Sequence, residues 1–259
     1  MNKEVPSPAL GRKLRFIHVP KTAGTSIHYL LHNIYPNPIF YPPLSLEKDN
    51  EKYGNHFSDF QKKIMLLNST KKITEINELK NEPFIGGHTK TDLAYLLEDY
   101  NQNEYFTTFR EPLDRLISYY FHYCFPEKEH HYRKYAEDVK NMSFEQFIKF
   151  EKVLVDVDNV FVRRLCKVEE GKRVNENNLE EAIKNGNKIL KFILSFEKLE
   201  ATINLRFPEF KDKGLEVSKL KVSSYRKKYS NKKIYYDFNN ISEYIRYDII
   251  LMERLSHLI

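Results

Sequence analysis

Apolar and polar positions alternate along the chain in a way that predicts short strands separated by helices. Four apolar runs have the length of buried strands: residues 13–19, 83–87, 104–109 and 191–196. Continuous apolar runs of this kind are typical of parallel strands covered on both faces. Because strands that alternate with helices build parallel sheets, the pattern predicts an α/β fold. We expect a single domain whose central parallel sheet is flanked by helices.

The helices are predicted from apolar residues at helical spacing. They lie at residues 25–34, 91–99, 113–124, 143–152, 158–165 and 179–184, with one more that follows the fourth strand and runs through residue 205. Residues 241–258 are strongly amphipathic and predict one continuous C-terminal helix. Its apolar side would carry Tyr244, Ile245, Ile249, Met252, Leu255 and Leu258.

The remaining segments have no regular pattern. Residues 1–12 contain prolines and a glycine and predict a flexible N-terminal tail, which leaves residues 13–259 as the folded domain. Residues 35–81 are polar and predict a variable excursion with short helices. Residues 226–233, RKKYSNKK, are the strongest basic run, and we interpret them as a solvated loop. No internal repeat or Gly/Ser linker divides the chain.

Composition narrows the classes of function. The 259 residues include 42 Lys and Arg against 36 Asp and Glu, a net charge of +6. This positive charge suits an anionic ligand. A dedicated nucleic-acid binder would carry a larger excess of basic residues, arranged as a stripe on its surface. No apolar run approaches the roughly 20 residues of a membrane span.

The chain has only two cysteines, Cys124 and Cys166, which excludes a disulfide scaffold and a four-cysteine zinc site. We expect two buried free thiols, with a single bridge as the alternative. The cytoplasm is the natural compartment for such a chain.

The segment from His18 to Ser26, HVPKTAGTS, joins the first strand to the first helix. Backbone N–H groups at a helix N-terminus lack partners, and the helix dipole adds partial positive charge there. With Lys21 and several hydroxyl groups, this loop suits a phosphate or sulfate. It is not a Walker A loop, because Lys21 precedes Gly24 and the upstream glycine is missing. An ordinary capped turn with a solvated lysine is the alternative.

A second candidate loop follows the third predicted strand, in TTFREPLDRLISYY. Arg110 ends the strand, Pro112 lies where a helix begins, and Ser118 follows eight residues after the arginine. Open α/β sheets bind ligands at the carboxyl ends of their strands. We therefore expect Arg110 and Lys21 to lie at the same edge.

The two loops, FIHVPKTAGTS and TFREPLDRLISYY, resemble the signature loops of sulfotransferases that use 3′-phosphoadenylyl sulfate (PAPS). The resemblance is to the carbohydrate sulfotransferases, including the heparan/uronyl 2-O-sulfotransferase branch. It implies a P-loop-like strand–loop–helix nucleotide site, with PAPS as donor and 3′-phosphoadenosine 5′-phosphate (PAP) as product. The implied donor-binding residues are Lys21, Thr22, Ala23, Gly24, Thr25 and Ser26 for the 5′ end, Arg110 and Ser118 for the 3′-phosphate, and more weakly Ser224 and Lys227. DNVFVRRL, residues 158–165, is similar to a later segment of the family.

Sulfuryl transfer needs a cation at the leaving phosphate and a base for the acceptor hydroxyl. Lys21 fits the first role. His88, after the second predicted strand in IGGHTKTDL, fits the second, because a histidine pKa of about 6.5 suits a base near neutrality. In the 2-O-sulfotransferase branch a histidine after this strand is the base. The chemistry requires no metal, and the sequence offers no convincing ligand set.

The other candidates for acid–base or metal chemistry rank lower. His18 lies inside the first strand and is interpreted as a core or loop-bracing residue. His28 and His32 share a helix face but lack the H-E-x-x-H pattern of a metal site. Glu111 is a rival base, although a role at the start of the helix fits better.

The leading hypothesis is thus a PAPS-dependent O-sulfotransferase acting on a hydroxyl of a glycan or glycoconjugate, with no nucleic-acid partner. A nucleotide-dependent kinase of related fold and a non-catalytic basic module for anionic polymers are the alternatives. We expect a cytoplasmic enzyme of bacterial type, with a Golgi-lumenal catalytic domain lacking its anchor as the alternative. The acceptor and the oligomeric state are not predicted.

Overall fold

The computed structural model describes residues 12–35, 39–40, 80–87, 94, 97–124, 136–169, 171–212 and 234–259. Five strands form one sheet: β1 (Leu14–Ile17), β2 (Ile39–Phe40), β3 (Phe84–Gly87), β4 (Glu104–Phe109) and β5 (Leu190–Ser195). Their order is β2-β3-β1-β4-β5, and every neighbouring pair is parallel. The predicted parallel α/β sheet is therefore confirmed.

Helices and short helical turns make up most of the remaining described chain. They are α1 (Gly24–Ile34), α2 (Pro112–Cys124), α3 (Ala136–Val139), α4 (Phe144–Ile148), α5 (Leu154–Val157), α6 (Val160–Leu165), α7 (Glu176–Ile189), α8 (Leu199–Arg206), α9 (Glu209–Asp212), α10 (Phe238–Ser242) and α11 (Arg246–Arg254). Two 3-10 turns, Glu151–Val153 and Ser256–Leu258, complete them. Among the described helices, none has both the length and the apolar character that a membrane crossing requires.

Each face of the sheet packs against helices. On one face, Phe16 stacks on Phe106 at 4.8 Å between ring centroids, and Phe106 stacks on Phe192 at 4.9 Å. Helices α1, α8 and α9 cover this face. On the other face, Ile17, Phe109 and Ile193 pack against α6, α7 and α11. Side chains of one strand alternate between the two faces, so nearly every residue of β1, β3, β4 and β5 is buried.

A third apolar cluster lies beside the sheet and contains no strand residue among those described. It joins α2 to α4, α5 and α10 through buried residues such as Leu116, Phe147 and Ile241. The two cysteines lie in different clusters, Cys124 in this one and Cys166 in the core around α6 and α7, and both are buried thiols outside any disulfide. The expected pair of buried thiols is confirmed.

The strand order creates a topological switch point at the carboxyl ends of β1 and β4. After β1 the chain moves through α1 to β2 on one side of the sheet, whereas after β4 it moves through α2 towards β5 on the other side. Neighbouring strands whose connections leave in opposite directions mark the switch point where α/β sheets bind ligands. The loops that carry Lys21 and Arg110 both begin at this point.

The predicted continuous C-terminal helix is wrong. The chain forms α10, a turn at residues 243–245, and then α11. The side-chain Oδ1 of Asn159 accepts the N–H of Tyr247 at 2.9 Å and so caps the new helix from a distant part of the chain. The break changes the buried face: Leu251 is buried, whereas Ile249, predicted on the apolar side, is 43% exposed.

Other differences are smaller. The two-residue strand β2 lies within the predicted excursion and was not expected as a strand. The predicted helix over 143–152 is divided into α4 and a 3-10 turn. Arg12, the last residue of the predicted tail, forms a salt bridge with Glu104. Most of the excursion, the basic run at 226–233 and most of the predicted helix at 91–99 lie outside the described residues.

Candidate active site

The loop between β1 and α1 adopts an unusual backbone conformation. Lys21 has φ 70° and Ala23 has φ 68°, both in the left-handed region although neither residue is glycine. Such residues cost about 1–2 kcal/mol each and concentrate at functional sites. Alternation of left-handed and helical residues turns successive N–H groups to one side and forms an anion-binding concavity. At the start of the 11-residue α1, the N–H groups of Gly24 and Thr25 have no acceptor within the helix.

Contacts inside the loop hold this conformation. The hydroxyl of Thr22 is fully buried and donates to the carbonyl of Val19 at 2.7 Å. From the neighbouring loop, Nη1 of Arg110 donates to the carbonyl of Lys21 at 3.0 Å. The Thr22 side chain therefore shapes the loop. Any contribution of Thr22 to anion binding, as predicted from the sequence, would come from its backbone N–H.

His18 packs directly on the glycine of this loop. A Cβ added to Gly24 would lie 1.8 Å from Nε2 of His18, so only glycine permits this approach. The His18 ring stacks on Phe16 with centroids 5.5 Å apart and meets the edge of His28 at 5.4 Å. The interpretation of His18 as a loop-bracing residue is confirmed.

His28 is buried in the same aromatic group and lies against Gly86 of β3, where an added Cβ would come within 2.5 Å of its ring. This packed position agrees with the low rank given to His28 as a metal ligand. In the part of the chain that the structure describes, no group of three or more potential metal ligands is found.

Arg110 lies at the end of β4 and connects the two loops. Only 6% of the surface of Arg110 is exposed to solvent. Besides the bond to the Lys21 carbonyl, its guanidinium lies over the ring of Phe196, with Cζ 4.3 Å from the centroid, and Nη2 is 3.9 Å from a carboxylate oxygen of Asp114. The predicted convergence of Lys21 and Arg110 is thus present as a direct contact between their loops.

Glu111 begins the helix that follows Arg110. Its carboxylate accepts the N–H groups of Leu113 at 3.0 Å and of Asp114, which satisfies two unpaired donors of α2. Its own N–H donates to the carboxylate of Glu197 at 2.8 Å. The helix-start role is confirmed, and a carboxylate engaged in this way is a poor candidate for the base.

Ser118 lies further along α2 and is half-buried. It is six residues after Pro112, which corresponds to about 9 Å of helix rise. A ligand that touches both Arg110 and Ser118 must therefore extend along the first two turns of α2.

Several predicted site residues lie outside the described residues: His88, Ser224, Lys227 and the side chain of Thr25. Strand β3 ends at Gly87, the residue before His88, and the Gly87 carbonyl accepts the N–H of His18 at 2.8 Å. His88 therefore follows the strand that pairs directly with β1.

A family model described as "Sulfotransferase family" matches residues 11–252, which is nearly the whole chain. The chain belongs to the sulfotransferase family. The match includes the residues of the β1–α1 loop and of the β4–α2 loop. A search of curated proteins found no match.

The later segment of this sulfotransferase, DNVFVRRL, has a structural role in the described chain. The buried carboxylate of Asp158 bonds to Nη2 of Arg163 at 2.6 Å and to Nε of Arg173 at 2.9 Å. Asn159, with φ 45°, caps α11. This segment therefore ties α6 to the C-terminal helix α11.

Sequence reasoning missed Phe196 and Glu197 as members of the site. Both follow β5, and both contact the β4–α2 loop, through the Arg110 guanidinium and the Glu111 N–H. Phe196 is the last residue of the apolar run 191–196 and Glu197 follows it, and this position was the available signal. Without the strand order, nothing in the sequence indicates that β5 lies beside β4.

Proposed function

We propose that this sulfotransferase transfers the sulfuryl group of PAPS to a hydroxyl of a carbohydrate acceptor, as in the heparan/uronyl 2-O-sulfotransferase branch. The observation that carries the proposal is the contact between the two loops at the switch point, where Arg110 Nη1 donates to the Lys21 carbonyl at 3.0 Å. The loop after β1 would be a P-loop-like anion site, and Arg110 lies at the end of β4, the neighbouring strand in the sheet. Two such positions suit a ligand with two separated anionic groups.

The 5′-phosphosulfate would bind at the β1–α1 loop. Lys21 supplies charge, and the backbone N–H groups from Thr22 to Thr25 supply donors at the positive end of α1. The Ser26 N–H already donates to the Ala23 carbonyl at 2.9 Å, so Ser26 would contribute its hydroxyl. The 3′-phosphate would bind to Arg110, with Ser118 as a second donor further along α2. Ser224 and Lys227 are weaker candidates for the same nucleotide.

The reaction is an in-line displacement at sulfur. The acceptor oxygen forms a bond to sulfur while the bond from sulfur to the bridging phosphate oxygen breaks, and PAP leaves with that electron pair. Lys21 stabilises the charge that develops on the leaving phosphate. His88 takes the proton of the acceptor hydroxyl. The chain needs chiefly to hold donor and acceptor in line.

The structure offers little support for the kinase alternative. A kinase of related fold would use a Ser or Thr after the loop lysine to bind magnesium. Thr22 occupies that position, but its hydroxyl is fully buried and already donates to the Val19 carbonyl. The magnesium-binding role therefore lacks a suitable side chain at this position.

Transfer of labelled sulfate tests the proposed function directly. The full chain is incubated with 35S-labelled PAPS and a panel of polysaccharides, oligosaccharides, glycolipids and small alcohols, in the presence of EDTA. We expect a labelled carbohydrate and one PAP for each sulfate transferred. Label that stays on PAPS with every acceptor, together with phosphorylation of an acceptor by Mg-ATP, would contradict the proposal.

If His88 is the base, its removal should lower turnover without weakening the binding of PAP. We expect His88→Ala to lower kcat by at least about a hundredfold, because proton transfer by a positioned side chain contributes about that much. Its affinity for PAP should stay that of the unaltered chain. Titration calorimetry and the sulfate-transfer assay measure the two quantities.

The matched control is His257→Ala, which removes an exposed histidine near the C-terminus. It should leave both quantities unchanged. If His88→Ala turns over at the unaltered rate, another residue is the base.

A further inference from the structure

Phe196 lies where the third loop of the carboxyl edge begins. Strand β5 pairs with β4 so that Ser195 is opposite Phe109. The N–H of Phe196 then donates to the Phe109 carbonyl at 2.8 Å, which continues the pairing by one residue. Phe196 is therefore held beside Arg110 by backbone bonds, and its position does not depend on side-chain packing alone.

The ring of Phe196 supports the guanidinium of Arg110. With Cζ 4.3 Å from the ring centroid, the guanidinium is within the range of a cation–π contact. When a guanidinium stacks on a ring, its N–H groups point outward in the guanidinium plane and remain available to acceptors beside it. One of these N–H groups already holds the carbonyl of Lys21.

The Lys21 carbonyl belongs to the strained part of the anion loop. Lys21 has φ 70°, and a non-glycine residue keeps such a conformation only where surrounding contacts stabilise it. The bond from Arg110 is one of these contacts. Any change in the orientation of the guanidinium thus alters the loop for the 5′ end as well as the proposed contact with the 3′-phosphate.

We propose that Phe196 is a positioning residue of the donor site: through its stacking on Arg110, it fixes the Lys21 loop and the 3′-phosphate contact together. This inference rests on the proposed function, since the ligand is an adenosine with phosphate at both the 3′ and 5′ positions. It makes Arg110 more than a ligand of one phosphate. The affinity of the 5′ loop depends on Arg110 even when the nucleotide has no 3′-phosphate.

The affinities of three nucleotides distinguish this coupling between the two loops from independent binding of each phosphate. The nucleotides are PAP, adenosine 5′-phosphate and adenosine 3′-phosphate. We expect Phe196→Leu to weaken adenosine 5′-phosphate roughly fivefold, and Arg110→Ala to weaken it roughly tenfold, because both disturb the Lys21 loop. Ser118→Ala should leave adenosine 5′-phosphate unchanged and weaken only the two nucleotides that carry a 3′-phosphate. Titration calorimetry on the full chain gives these affinities.

Two controls separate positioning from loss of fold. Phe196→Tyr keeps the aromatic face and should bind all three nucleotides as the unaltered chain does. Phe150→Leu removes a ring that faces Lys152 at 5.4 Å, and it should change none of the affinities. The melting temperature without ligand, measured for each variant, confirms that the fold is intact.

Adenosine 5′-phosphate that binds to Phe196→Leu and Arg110→Ala as tightly as to the unaltered chain would overturn this inference and leave the proposed function standing. An unaltered chain that binds none of the three nucleotides would instead overturn the proposed function, and the inference with it.

Discussion

Replacing Lys21 by alanine is expected to lower kcat/KM for sulfuryl transfer by about a thousandfold. Loss of one preorganised group that stabilises transition-state charge costs about 10²–10³ in rate, and the contact that we propose between Lys21 and the donor would be lost as well. Alanine can adopt the left-handed backbone conformation that Lys21 has, because Ala23 already does so two residues later. We therefore expect the melting temperature without ligand to stay within about 2 °C of that of the unaltered chain.

A matched control removes a positive charge from outside the site. Lys191 is an exposed lysine on β5, and Lys191→Ala should keep the unaltered kcat/KM. Steady-state assays of sulfate transfer at fixed acceptor concentration compare the two variants. If Lys21→Ala lost less than about threefold in kcat/KM, Lys21 could not be the cation at the leaving phosphate.

Replacing Asp158 by alanine is expected to reduce the free energy of unfolding by about 3–5 kcal/mol. The side chain is fully buried and accepts bonds from Arg163, Arg173 and the N–H of Val174. Its removal would leave the buried guanidinium of Arg163 without its carboxylate, and breaking a buried pair in this way is strongly destabilising. The loss is a large fraction of the stability of an ordinary domain.

Urea denaturation of Asp158→Ala and of a surface control measures this difference. Asp138 pairs with Lys152 at 2.9 Å where both side chains are about half exposed, and Asp138→Ala should cost less than about 1 kcal/mol. Equal denaturation midpoints for the two variants would show that the Asp158 network does not support the fold.

Strands β1, β3, β4 and β5 and the first helix were predictable because their signal is local. Strand β4 matches its predicted bounds, since an apolar run buried on both faces is visible in the sequence itself. The two loops were predictable for the same reason: Arg110 directly follows β4, Lys21 lies in the loop that follows β1, and the carboxyl ends of parallel strands share one edge.

Features that depend on distant residues were not predictable. The C-terminal helix breaks where Asn159 caps it, and Asn159 is 88 residues before the N–H of Tyr247 that it accepts. Likewise, the contact of Phe196 with Arg110 follows from the neighbouring positions of β4 and β5, which the sequence does not state. Thr22 shows a third limit: its residue type suggests a ligand, and only its burial shows that the hydroxyl shapes the loop.

Thermal unfolding with PAP in EDTA tests the central claim most directly, because it asks whether the switch point between β1 and β4 binds one nucleotide at both ends without a metal. With PAP at about a hundred times its Kd, we expect the melting temperature of the full chain to rise by about 5 °C or more. Adenosine 5′-phosphate at the same concentration should give a smaller rise. No shift with PAP, together with a clear shift with Mg-ATP, would contradict the account.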